Sequence, residues 1–229
     1  MKKMKTTLCT LLVLSAMSLT LVGCTGMDNP PEDGTTTAAT TTTPALTTTG
    51  ETLDSTVSGS LSFTANGDGT CTLTGLGNCT DTCVIVPATD GNGNRVTAIA
   101  AGAFKSDRVS AVELPASIES IADGAFAGCS KLTYISVSLE NTAYRSQGGI
   151  LYNNDETVLV ACPAARPEAT LTIAASVKTI APSAFAGCTA LKTINYSGSA
   201  EQWKKVSVGS DNAILVAASV KYDKEDGKS

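Results

Sequence analysis

The chain has 229 residues, a formal net charge of −5 at pH 7 and no histidine. Without histidine, Ser-His-Asp and Cys-His catalytic arrangements and His-ligated metal sites are excluded. The acidic balance disfavours nucleic acid and anionic lipid as partners, because binding to both depends on Lys and Arg that displace counterions.

The N-terminus has the pattern of an export signal. Three lysines within the first five residues precede a mostly apolar run at 6–20, which is shorter than the about 20 apolar residues that span a bilayer. The run leads into Leu-Val-Gly-Cys24, which resembles a bacterial lipobox. This resemblance implies a signal peptide at 1–23 and a lipidated Cys24, since dual acylation gives stable anchoring. The alternative is an ordinary signal peptide with a chance Gly-Cys pair.

Residues 24–56 are predicted to form a disordered linker. Ten of the fifteen residues at 35–49 are Thr, and almost no apolar side chains are present to bury. The linker is either an unmodified spacer or an O-glycosylated stalk. A second short disordered segment is predicted at 223–229.

The folded domain is predicted to cover 57–222 and to open with a hairpin. Apolar residues alternate on both sides of Asn-Gly-Asp-Gly at 66–69, which is typical of two strands joined by a turn. Three cysteines lie close together here, and a disulfide between two of them would staple this cap. The sequence does not choose the pair. These cysteines are Cys71, Cys79 and Cys83.

An internal repeat follows. Residues 96–104, 118–126 and 177–185 read VTAIAAGAF, IESIADGAF and VKTIAPSAF, and each continues into an L-x-x-L-x-L-like strand. The spacing of the first two units, 22 residues, indicates a solenoid whose coils bury their apolar faces by stacking. We expect a buried row of phenylalanines with isoleucines beside it: Phe104, Phe126 and Phe185, with Ile99, Ile121 and Ile180.

The tripeptide Ala-Gly-Cys recurs after two of these phenylalanines and places Cys129 and Cys188 at equivalent positions. Two coils of separation correspond to about 10 Å in the stacking direction, and a disulfide requires Cα atoms within about 7 Å. We therefore expect no bond between them. Both, like Cys162, are interpreted as small buried apolar residues.

Two further pieces complete the domain. A second hairpin is predicted in the long gap between repeat units, where residues 150–152 and 158–160 flank Asn-Asn-Asp-Glu. Near the end of the chain, Trp203 is the only tryptophan. We expect it to cap the last coil, because solenoid ends must be closed; the alternative is an exposed binding residue.

The runs I-x-x-[GS]-A-F-A-G-C-x-x-L-x-x-I at 121–135 and 180–194 resemble the BspA-type leucine-rich-repeat proteins of bacterial cell surfaces. Segments 149–157 and 196–206 are similar to accessory pieces of that family. The resemblance implies a mostly β leucine-rich-repeat solenoid, with a single curved sheet of short stacked strands, an N-terminal hairpin cap, an inserted hairpin and a C-terminal cap. It also implies adhesion to host macromolecules or to other cells.

No pattern in the sequence points to an active site. Cys79-x-x-x-Cys83 lacks a second pair at zinc-ligand spacing. Asp90-x-Asn92-x-Asn94 faintly resembles a calcium loop, but the closing acid is missing, and a plain Gly/Asn turn is favoured. We therefore expect no catalytic residues, no metal and no cofactor.

The candidate ligand-binding surface consists of the outward positions of the L-x-x-L-x-L strands, which adjacent coils are expected to align on one sheet face. Tyr134 stands out, because an exposed aromatic on a rigid strand is typical of residues that dominate interfaces. The alternative is a solvated face without a ligand. The candidate residues are Glu113, Tyr134, Ser136, Lys192 and Asn195.

These features predict a lipid-anchored, non-catalytic monomer on the cell surface that binds a protein or glycan and no nucleic acid. The alternative is a secreted accessory subunit or degenerate enzyme domain that acts on surface glycans or peptides. A passive wall component is a third possibility.

Overall fold

The structure is a computed structural model that describes residues 57–224. The expected signal peptide, the lipidated Cys24, the linker and residues 225–229 lie outside the described residues. Within 57–224, no helix is long and apolar enough to cross a membrane.

The described domain is mostly β, as predicted. Its two helices are single turns, α1 (Ala200–Trp203) and α2 (Ile214–Ala217). Its strands are β1 (Ser62–Ala65), β2 (Thr70–Gly75), β3 (Cys83–Ile85), β4 (Arg95–Ile99), β5 (Ala111–Leu114), β6 (Ser120–Ile121), β7 (Tyr134–Val137), β8 (Tyr144–Gln147), β9 (Ile150–Asn153), β10 (Val158–Ala161), β11 (Thr170–Ile173), β12 (Thr179–Ile180), β13 (Thr193–Tyr196), β14 (Ser207–Val208) and β15 (Ser219–Tyr222).

Successive coils stack in parallel, which confirms the solenoid. Each coil contributes to two sheets, because it has two extended segments separated by a corner. The first half contains the orders β1-β2-β4-β6 and β3-β5-β7, and the second half contains β14-β12-β10-β9-β8 and β11-β13-β15. The expectation of a single curved sheet is therefore wrong. The segment that leads to the isoleucine at the start of each repeat unit forms strands of its own, β4, β6 and β12. The inserted hairpin separates the two halves.

Both predicted hairpins are present, and their turns share the sequence Asn-x-Asp-x-Thr. The carboxylate of Asp68 accepts hydrogen bonds from the hydroxyl and N–H of Thr70, at 2.6 and 3.0 Å. Asp155 accepts the same two bonds from Thr157, at 2.7 and 3.2 Å. These bonds hold the pKa of both carboxyl groups below the usual range. Each hairpin then begins a parallel stack, β2 with β4 and β10 with β12.

Phe104, Phe126 and Phe185 are all buried, as predicted, but they do not form one continuous row. The first two belong to one core cluster and Phe185 to a second. Between them lies the coil of the inserted hairpin, where Cys162 takes the phenylalanine position. The N–H of Cys162 donates to the next coil at Ala184, as the N–H of Phe104 donates to Ala125.

The isoleucines beside the ring positions differ in burial. Ile99 and Ile180 are buried, whereas Ile121 is only half-buried. The backbone N–H of Ile121 donates a hydrogen bond to the hydroxyl of Tyr144, at 3.0 Å, and this acceptor lies outside the coil of Ile121. The inserted hairpin region therefore completes the environment of this coil.

A buried asparagine holds a corner of the solenoid before β8. The amide nitrogen of Asn141 donates to the carbonyls of Pro115 and Ile118, at 3.1 and 2.9 Å. Its amide oxygen accepts the N–H groups of Ala143 and Tyr144, at 2.9 and 2.7 Å. One side chain thus satisfies backbone groups on two coils, which a buried corner requires.

The last coil packs Trp203 against the second core cluster. Its ring centroid lies 5.1 Å from that of Tyr196, and the side chain is half-buried. Ser199 and Gln202 form a reciprocal capping box at the start of α1. Trp203 therefore has a packing role at this end of the domain.

Candidate functional site

Three of the candidate binding residues lie together on one sheet. Strands β5 and β7 pair in parallel, with Ala111 opposite Tyr134 and Glu113 opposite Ser136. The alternate positions Val112 and Ile135 point into the core and are buried. We call the outward surface formed by Glu113, Tyr134 and Ser136 the central face.

Tyr134 is half-buried, not the exposed aromatic that the sequence predicts. The inserted hairpin covers the free edge of β7, since the N–H of Ile135 donates to Gly149 at 3.0 Å. The tyrosine ring packs directly on that glycine: a Cβ added to Gly149 would lie 2.5 Å from the ring. Tyr134 therefore helps to attach the hairpin to the repeat.

The remaining candidates belong to a different sheet. Asn195 lies on β13, where it pairs with Thr172 on β11 and Lys221 on β15; Lys192 immediately precedes this strand. The expected alignment of all five residues on one sheet is therefore wrong, because the hairpin interrupts the stack after β7. We call the surface formed by Thr172, Lys192, Asn195 and Lys221 the end face.

The end face presents polar groups in straight rows. Thr172, Asn195 and Lys221 form one row, and a second row of Thr170, Thr193 and Ser219 runs beside it. Parallel strands set such groups about 4.8 Å apart. The rows offer hydroxyl, amide and ammonium groups, so the surface can donate and accept hydrogen bonds along a polar partner.

The end face also borders a sheet edge. Strand β15 is the last in the order β11-β13-β15, so within the described residues its outer backbone groups are not used by another strand. Tyr222 on this strand is 40% exposed. An accessible edge of this kind can pair with an extended peptide through its backbone. Sequence reasoning placed Lys192 and Asn195 in this region but missed Thr172 and Lys221, because their strands depart from the L-x-x-L-x-L pattern.

An open groove of about 530 Å³ lies between the Ala-Gly-Cys corners. Small residues line most of it, including Gly128, Ser130, Gly187 and Thr189. Arg166 also contributes, but its guanidinium donates to the carbonyl of Gly148 and pairs with Glu168 at 3.2 Å. Because its one charged side chain already has partners, we assign no ligand to this groove.

Residues 90–94, whose sequence faintly resembles a calcium-binding loop, form a turn that is stabilised by hydrogen bonds within the segment. The carboxylate of Asp90 accepts from the N–H groups of Asn92 and Asn94, at 2.9 and 2.8 Å, and from the Asn94 side chain at 2.9 Å. The Asn94 side chain contributes most to holding the pKa of Asp90 below its usual range. The described residues contain no group of three or more Cys, Asp or Glu side chains placed to hold a metal ion.

Two cysteines of the first hairpin region, Cys71 and Cys79, are buried thiols in the structure. The sulfur of Cys71 donates to the carbonyl of Asn94 at 3.6 Å. Cys129 and Cys188, which are predicted not to be bonded to each other, belong to different core clusters.

Among solved structures, the chain is similar to the pneumococcal vaccine antigen PcpA, with 15% identity and a TM-score of 0.44 over 63% of this chain and 39% of that one. It is similar to a leucine-rich repeat protein from Eubacterium ventriosum, with 20% identity and a TM-score of 0.41 over 72% and 71%. A leucine-rich repeat protein from Bacteroides capillosus has 29% identity and a TM-score of 0.39 over 61% and 96%. The chain thus spans well under half the length of PcpA.

A comparison with curated proteins gave no match. Residues 93–156 and 167–209, in contrast, match the family model described as the BspA type leucine rich repeat region, in six copies. The matched segments contain the repeat units and part of the inserted hairpin, the same segments that form the stacked coils. Residues 93–156 and 167–209 of this chain are therefore BspA-type leucine-rich repeats.

Proposed function

We propose that this protein is a non-catalytic binding protein of the bacterial cell surface, which captures a protein or glycan on an outward sheet face. The BspA-type repeats support a role in binding or adhesion. Repeat proteins bind through extended surfaces that stacking creates, so this role does not require a deep pocket.

The observation that carries the proposal is the register of the end face. Thr172, Asn195 and Lys221 stand side by side on three parallel strands, and Thr172 and Lys221 are exposed. Rigid strands hold these groups at fixed spacing, so a partner loses little of its binding energy to ordering the surface. The central face, where Glu113 lies beside Ser136, is the second candidate binding surface and is more acidic than the end face.

In this proposal the domain acts as a monomer attached to the membrane. Cys24 carries the lipid, and the Thr-rich linker at 25–56 separates the anchor from the repeat domain. The lipobox-like sequence and the composition of the linker support this arrangement.

The proposal can be tested with the purified chain on arrays of extracellular matrix proteins and cell-wall glycans. Lys192→Glu with Lys221→Glu reverses the charge of the end face, and Glu113→Lys does the same for the central face. Lys178→Glu is the matched control, because Lys178 is exposed outside both faces. We expect one of the first two variants to lose at least about tenfold in affinity, with the control unchanged.

Equal affinity of all variants for a captured ligand would place the site elsewhere. Failure of the wild type to bind on either array would contradict the binding role. Circular dichroism of each variant establishes that the solenoid is intact before affinities are compared.

A further inference from the structure

Two buried thiols meet where the inserted hairpin joins the following coil. Cys162 comes directly after β10, and Cys188 lies in the corner after Phe185. The sulfur of Cys188 lies 3.5 Å from the carbonyl oxygen of Cys162 and 3.6 Å from that of Pro163. The sulfur of Cys162 lies 3.9 Å from the same Pro163 carbonyl oxygen, and the two residues are only 7% and 5% exposed.

The preceding repeat unit explains how this pair arises. There, the sulfur of Cys129 donates to the carbonyl of Phe104 at 3.0 Å, just as Cys188 donates to Cys162. The position occupied by a phenylalanine ring in the first case is occupied by a thiol in the second. Cys129 packs beside Phe104 and Ser106, whereas Cys188 packs beside a second sulfur. Cys129 is therefore an internal control, because it lies at the same corner of its coil but has no second cysteine beside it.

We propose that Cys162 and Cys188 form a disulfide that ties the inserted hairpin to the next coil. The two residues lie on adjacent coils, and the Cys188 sulfur lies 3.5 Å from the carbonyl oxygen of Cys162, which is compatible with the Cα separation of about 7 Å or less that a disulfide requires. Both sulfurs lie against the carbonyl oxygen of Pro163, at 3.9 and 3.6 Å, so the bond requires a rotation of the two side chains toward each other. The bond joins the hairpin coil, where the phenylalanine row is interrupted, to the coil that carries Phe185.

The chemistry is an exchange with a disulfide-containing oxidant. The thiolate of one of the two cysteines attacks one sulfur of the oxidant and releases its other sulfur as a thiol. The thiolate of the second cysteine then attacks the protein sulfur of this mixed disulfide and displaces the second thiol. The pair loses two protons and two electrons, and the oxidant is reduced to two thiols. Since both residues are buried in the folded domain, the exchange takes place before the two coils close.

The test is to refold the reduced full chain with oxidised glutathione, block the remaining thiols and map the peptides by mass spectrometry without reduction. We expect a cross-linked peptide that joins residues 162 and 188. The thermal midpoint of the oxidised protein should exceed that of the reduced protein by about 5–10 °C. Cys129→Ser should retain both the cross-link and the midpoint difference, whereas Cys162→Ser and Cys188→Ser should lose both.

Recovery of Cys162 and Cys188 as blocked thiols after refolding with oxidised glutathione would overturn the proposal. The mapping of the wild type decides this point even if a serine variant fails to fold. A cross-link between residues 129 and 188 would also contradict it, because those corners belong to different core clusters.

Discussion

The ring of Phe104 stacks on the ring of Phe126, with centroids 5.0 Å apart and planes 7° from parallel. The two rings occupy the same position in consecutive coils, so their stacking follows from the stacking of one coil on the next. Both residues belong to the first core cluster, and both rings are buried there.

The first prediction concerns this stack. Phe126→Ala removes a ring that is 7% exposed and leaves a cavity between coils, so we expect a loss of about 3–5 kcal/mol in the free energy of unfolding. Phe126→Leu keeps most of the volume and should lose less. Urea denaturation of the three proteins measures the difference. A loss below about 1 kcal/mol for Phe126→Ala would contradict the packing described above.

The second prediction concerns the corner held by Asn141, which is 6% exposed. Asn141→Ala leaves buried carbonyl and N–H groups on two coils without partners, and each such group costs about 1–3 kcal/mol. Asn141→Asp has the same shape but turns an acceptor toward the Pro115 and Ile118 carbonyls, so it should also destabilise. The exposed neighbour Thr142 supplies the control, since Thr142→Ala should change stability by less than about 0.5 kcal/mol. Similar midpoints in urea for all three variants would exclude a structural role for Asn141.

The third prediction separates a clash from backbone strain at two adjacent glycines. Gly148 and Gly149 have φ angles of +55° and +79°, so alanine is strained at both, by about 1 kcal/mol. A new Cβ at Gly149 would also lie 2.5 Å from the Tyr134 ring, whereas nothing lies within 4 Å at Gly148. We expect Gly149→Ala to lose at least about 2 kcal/mol more than Gly148→Ala. Adding Tyr134→Ala to Gly149→Ala should recover part of this difference; equal losses at the two glycines would argue against the contact.

The fourth prediction concerns alkaline pH. Burial raises the pKa of Tyr152 to about 12, above the value of about 10 in an unfolded chain. The protonated form is therefore favoured by folding. This stability is fully present below pH 10 and is lost as the pH rises to 12, by about 2–3 kcal/mol. Tyr152→Phe cannot ionise, so its unfolding free energy should fall less over this range. Parallel pH profiles of the two proteins would contradict the raised pKa.

The fifth prediction concerns the anchor proposed at Cys24. If the thiol is lipidated, Cys24→Ser should move the protein out of the membrane fraction or stall its processing. Metabolic labelling with a fatty-acid probe should mark the wild type and not the variant. Cys9→Ser is a suitable control, because Cys9 lies inside the expected signal peptide. Labelling of the Cys24→Ser protein at the wild-type level would show that the lipobox interpretation is incorrect.

The sequence by itself determined the repeat. The recurrence of Ile and Phe at fixed spacing is a local property, and only stacked coils bury such a pattern. The two hairpins are also local, because in each Asn-x-Asp-x-Thr turn Asp68 or Asp155 bonds a residue two positions ahead. A reader of the sequence can therefore name the fold, the buried phenylalanines and both hairpins.

Only the tertiary structure decided which side chains meet between coils. The contact of Cys188 with Cys162 joins residues 26 positions apart, and its existence depends on the register that the inserted hairpin imposes on the next coil. The same insertion covers Tyr134 with Gly149 and moves Asn195 to a sheet separate from that of Glu113. Periodicity describes which face of a coil is buried, but it contains no information on how an irregular segment docks between coils, and that docking determines the surface available to a ligand.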